Sequence, residues 1–145
     1  MSDNTAETTP APEDPTTPDP APATPEAEPL VLAVNVAGDK VGGGLGKAQS
    51  MAVATVANGR IVSWEVEEVG WDALHGQGPE GTHHARIVRF MKDHGVRAVV
   101  TGHMGAPMVN TMTKLGVLPL VDAAGDARQA ALAGAAILVT HLAQD

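Results

Sequence analysis

Asn58-Gly59 stands between two runs rich in β-branched residues, "SMAVATVA" and "RIVSWEVEE". Both central residues of a two-residue hairpin turn need positive φ, and Asn-Gly adopts it at low cost. The dipeptide therefore commits the middle of the chain to an antiparallel pair of strands. In the second run Ile61, Ser63, Glu65 and Glu67 alternate with Val62, Trp64 and Val66, which predicts a sheet with one drier face. Upstream, "PLVLAVNVAG" (29–38) has the apolar, β-branched character of a central strand. Downstream the period changes. "THHARIVRFMKDHG" carries an apolar stripe of Ile87, Phe90 and Met91, with Thr82 at the capping position and Gly95 at the end. "VRAVVTG" (96–102) reads as a short buried strand. "HMGAPMVNTMTKLG" predicts a second helix with Pro107 just inside it, Gly116 closing it, and Met108, Met112 and Leu115 inward. "VLPLVD" (117–122) is a last strand, which Pro119 assigns to an edge. The remainder is a final helix in which Gly134 is a candidate break. The predicted order is β-β-β-α-β-α-β-α, an α/β fold with a mixed sheet and helices packed on it.

That pattern begins only at residue 30. Residues 1–29 hold eight of the eleven prolines, seven acidic residues and no lysine or arginine. Such a stretch buries too little apolar surface to offset its ordering entropy, and disorder is expected. It has no basic start and no apolar centre, so it is not a signal peptide, and a cytoplasmic location is expected. It also carries most of the charge: the chain is 9 − 17 = −8, the tail −7, and residues 30–145 about −1. The near-neutral remainder lacks the basic face that nucleic acid requires. No apolar run reaches the ~20 residues that span a bilayer. The residues from 30 to 145 suit one domain. With one Phe, no Tyr and two Trp, its core must be aliphatic. The absence of cysteine excludes disulfides and thiolate ligands. Any protein-derived metal ligand is His, Asp, Glu, Met or backbone.

Between the first strand and the hairpin lies "DKVGGGLGKAQ" (39–49). It is not a P-loop. Gly46-Lys47 is followed by Ala48, which has no hydroxyl for magnesium, and the position five before Gly46 is Val41. A strand follows it, whereas a P-loop aims a helix N-terminus at the phosphates.

Over about residues 30–142 the chain resembles the dinitrogenase iron–molybdenum cofactor biosynthesis family, which includes the nitrogenase cofactor carriers. The resemblance is strongest in "HHARIVRFMKDHGVRAVVTGHMGAPMVNTMTKLGVLPLV". There Thr101-Gly102-His103-Met104-Gly105 matches the family's Thr-Gly-X-X-Gly loop, and Leu115-Gly116-Val117 its helix-ending step. "GGGLGKAQSMAVATVANGRI" matches the family's ligand-side loop and hairpin. Gly44 stands where many members have histidine, Leu45 replaces Phe and Lys47 replaces Arg. The resemblance implies a ribonuclease-H-like three-layer α/β fold with a mixed sheet. It also implies a binding or carrier protein for an iron–molybdenum or iron–sulfur cluster or its precursor, working with a metallocluster donor or acceptor protein.

Four histidines fall near places such a fold brings together: His75 in "GWDALHGQGPEG", His83 and His84 at a helix start, and His103 after a strand. In an α/β sheet, ligands gather at the carboxyl ends of strands. A helix N-terminus favours neutral imidazole, the form that binds metal. Histidine with Met104 or Met108 suits iron, copper or a metal–sulfur cluster, although a Met pair at helical spacing is more often core. The expected metal ligands are thus His75, His83, His84 and His103. Gly44, Gly46, Gly102 and Gly105 would allow close approach, and Lys47 would pair with an anionic ligand. Against this stands the plainer reading of solvated surface histidines. An interaction or regulatory module without ligand is the alternative. A metal-dependent phosphoester hydrolase is weaker, because Glu65, Glu67 and Glu68 read as a solvated hairpin face and the first strand carries Asn35, not an acid.

Overall fold

The computed structural model describes residues 29–74 and 80–144. Nearly all of the acidic tail, and His75, lie outside the described residues. Six strands form one sheet: β1 Leu30–Ala37, β2 Lys40–Val41, β3 Ser50–Ala57, β4 Arg60–Glu68, β5 Ala98–Val100 and β6 Leu118–Leu120. The helices are α1 Trp71–Leu74, α2 Glu80–Asp93, α3 Ala106–Leu115 and α4 Ala127–Ala143, and a 3-10 turn covers Leu45–Lys47. The strand order is β4-β3-β1-β5-β6, with β2 added to β1. β3 is antiparallel to β1 and β4; β5 and β6 run parallel to β1. This is the mixed-sheet, three-layer α/β architecture expected.

β1 is central because its sequence is apolar on both faces. Leu32, Val34 and Val36 face one core with Ala52, Ala54, Val56 and α4 residues Ala131, Ala135 and Leu138. Ala33 faces the other, with Met51, Val99, Trp71, Ile87, Phe90, Met91, Met108 and Met112. Helices α1–α3 thus cover one face and α4 the other. The methionines fill the space that aromatic residues occupy in richer cores. Met104 and Met108 belong to this packed cluster, so the thioether ligands weighed above are core instead.

Local signals hold where the chain itself decides. Asn58 and Gly59 have φ of 55° and 76°. Pro107 lies in the first turn of α3, and Gly116 ends it at φ 82°. Three expectations need correction. Helix α2 begins at Glu80, so Thr82 lies inside it and not at the cap. Gly134 does not break α4. A Cβ there would come within 3.0 Å of Val100 and 3.2 Å of Leu120 and Leu32, so the glycine lets the helix sit close on the sheet. A bulge between Thr55 and Val56 pairs Val56 with Ile61 and leaves Val62 60% exposed, interrupting the simple alternation in β4.

Candidate functional site

The carboxyl ends of β1, β5 and β6 open into three segments: 38–44, which includes the two residues of β2, and the loops 101–105 and 121–126. Backbone hydrogen bonds stitch them together. Gly102 N donates to Gly42 O (3.1 Å), His103 N to Gly43 O (2.9 Å) and Leu45 N to His103 O (2.9 Å). Gly44 and His103 form an isolated parallel bridge. Asp122 N reaches Gly102 O (3.0 Å) and Ala127 N reaches Asp39 O (2.8 Å). Glycine is required where the backbones meet: a Cβ on Gly102 would lie 2.8 Å from Gly42 O, and one on Gly42 would overlap Asn35 Oδ1.

Two buried polar side chains hold this seam from below. Asn35, 2% exposed in an otherwise apolar strand, donates from Nδ2 to Gly44 O (3.1 Å), Thr101 Oγ1 (3.1 Å) and, at longer range, Gly43 O (3.3 Å). Thr101 Oγ1 donates to Gly43 O at 2.9 Å. The amide and hydroxyl add side-chain donors to two loop carbonyls that also accept from backbone, Gly43 O from His103 N and Gly44 O from Lys47 N (3.2 Å), and so fix the loop to β1 and β5.

From the side, α2 reaches the same loop. His83 is 8% exposed, and its Nε2 lies 2.7 Å from Gly46 O. Arg86 Nη1 lies 3.2 Å from His83 Nδ1. His83 and His84 are the fourth and fifth residues of the helix, one turn beyond the position where the dipole acts most strongly. His84 is half-buried; Lys47 and His103 are exposed.

The structure thus gathers Gly44, Gly46, Lys47, Gly102, His103 and His83 at one rim, with His84 next to His83 and Gly105 capping α3 behind His103. His75 lies outside the described residues. Among the described residues, no group of three or more His, Cys, Asp or Glu side chains converges as a metal ion would need. The described rim therefore does not fit a closed site for a resident metal ion. Asn35, Thr101 and Arg86 contact this rim or its His83 without having been singled out as candidate site residues in the sequence. The signal was available for Asn35, the one strongly polar residue inside a buried strand.

A glycine-rich seam at the carboxyl ends of the strands of a mixed, three-layer sheet defines a small α/β domain. The chain matches the family model described as dinitrogenase iron-molybdenum cofactor over residues 29–136 and belongs to that family. Among solved structures, PH0822 is similar with a TM-score of 0.56 at 18% identity, covering 69% of this chain and 84% of that one. MJ0327 of Methanocaldococcus jannaschii, described as a candidate dinitrogenase, gives 0.47 at 12% identity over 71% and 84%. The PH0822 likeness supports the fold. No match is found among curated proteins. No described helix is long and apolar enough to cross a membrane.

Proposed function

We propose that this domain carries an iron-containing or iron–molybdenum cluster, or its precursor, as cargo between a donor and an acceptor protein during cofactor assembly. The observation that supports this most is the Gly44–His103 bridge. It joins the Gly-Leu-Gly-Lys loop to the Thr-Gly-His-Met-Gly loop and leaves the exposed His103 and Lys47 on the joined rim. Resident iron–sulfur clusters use about four protein ligands; a cargo in transit that is gripped by fewer keeps ligands of its own on the remaining metal sites. His103 and His84 are the ligands proposed among the described residues, with His75 as a third from the adjoining segment. Lys47 balances the negative charge of the cargo, and the glycines let it approach backbone closely. With no thiolate available, the hold is weak enough for transfer. Membership in the cofactor family agrees with this role.

Anaerobic titration of the full chain with a cluster donor, followed by absorption, tests the proposal. Saturable uptake that falls at least tenfold in a His84→Ala/His103→Ala double variant is expected. Equal uptake by wild type and variant contradicts it. A second reading, an interaction module of the same fold without ligand, is favoured by the lack of a three-ligand group among the described residues. A wild type that takes up nothing supports that reading.

A further inference from the structure

We propose that His83 is a positioning residue, a latch that holds the outer half of the glycine loop closed, and not a ligand of the cargo. The proposal rests on the cargo reading above. The loop has two halves. The inner half, Gly42–Gly44, is clamped from below by Asn35 and Thr101. The outer half is the 3-10 turn Leu45–Lys47, whose N-cap Gly44 has no side chain to cap it. It is anchored by burial of Leu45 and, from α2, by the His83 bond to the Gly46 carbonyl.

The chemistry of Gly46 O and of Arg86 fixes the ring. A carbonyl oxygen only accepts, so Nε2 carries the hydrogen and donates it at 2.7 Å. A guanidinium only donates, so Nδ1 turns its lone pair to Arg86. In this arrangement the ring has no lone pair left for a metal. Ligation through Nε2 requires release of Gly46, and ligation through Nδ1 requires release of Arg86. The first would free the backbone beside Lys47, the residue proposed to meet the cargo. His83 therefore serves the site by shaping it: the latched turn sets where Lys47 stands relative to His103, whose carbonyl already holds Leu45 N.

Three measurements on the full-length chain test this. Ring-nitrogen NMR reads the tautomer, amide exchange at Leu45, Lys47 and Ala48 reads the turn, and anaerobic uptake from an iron–sulfur cluster donor reads the site. The proposal expects the Nε2–H tautomer. It expects His83→Ala to speed exchange at those amides and to weaken uptake, each by about tenfold, the size of one buried hydrogen bond. His83→Gln, whose amide can still donate to Gly46 O, is expected to restore both to within about twofold. Two results overturn the proposal: loss of uptake in His83→Gln with the amides still protected, which makes His83 a ligand, or unchanged exchange in both variants. If wild type takes up no cluster, the cargo reading fails by itself, and the tautomer and exchange measurements still decide the latch.

Discussion

At the scale of single residues, the rim depends on side chains that are almost wholly shut off from solvent. Asn35 and Thr101 are buried to 2% and 0% exposure, and each spends its donor capacity on loop carbonyls or on the other. Removing the Asn35 amide takes hydrogen bonds from Gly43 O, Gly44 O and Thr101 Oγ1, each worth about 0.5–1.5 kcal/mol. Asn35→Ala should therefore lower the unfolding free energy by about 2 kcal/mol in urea. It should also loosen the 42–44 segment, seen as faster exchange at the Gly102 and His103 amides that bond to it. Gly42→Ala attacks the same clamp from the other side, because its methyl would occupy the space of Asn35 Oδ1. Overpacking of this kind costs about 1–3 kcal/mol. A melting temperature equal to wild type for both variants would mean that the clamp is not under load.

At the scale of elements, helix and strand placement separates what was legible in the sequence from what was not. The Asn58-Gly59 hairpin and the Pro107 and Gly116 ends of α3 are local decisions, so they were readable directly. Strand β2 has two residues and α1 has four; both exist through contacts with neighbours and carry no pattern of their own. Gly134 shows the limit most clearly. Helix propensity marks it as a weak point worth about 1 kcal/mol against Ala, yet its role is to let α4 close on Val100, Leu120 and Leu32. The two effects oppose each other in Gly134→Ala. With three side chains at 3.0–3.2 Å, crowding should win, giving a net loss of about 1 kcal/mol by chemical denaturation. A gain in stability would show that α4 can lift away freely. The site was half legible for the same reason. The loops that bear His103 and Lys47 announce themselves by glycine. The bonds that order them join residues 37 and 66 positions apart, which periodicity does not register.

At the scale of the molecule, the three-layer sheet turns separate segments into one rim, and the family match over residues 29–136 gives that rim a context in nitrogenase cofactor chemistry. The domain from residue 30 is near neutral, at about −1 of the total −8. On the proposed cargo reading, recognition of an anionic cluster would come from local groups such as Lys47, not from a long-range field. Lys47→Glu should weaken cluster uptake in anaerobic titration by about tenfold while leaving thermal stability within about 0.5 kcal/mol, since the side chain is exposed. A variant that loads as well as wild type would remove Lys47 from the site. The most direct test of the whole account is elemental analysis of the full-length protein purified without oxygen from its own host. The account predicts co-purifying iron, with or without molybdenum, that is lost when His84 and His103 are both replaced by alanine. Wild-type protein free of both metals, or a double variant that retains them in full, would contradict it.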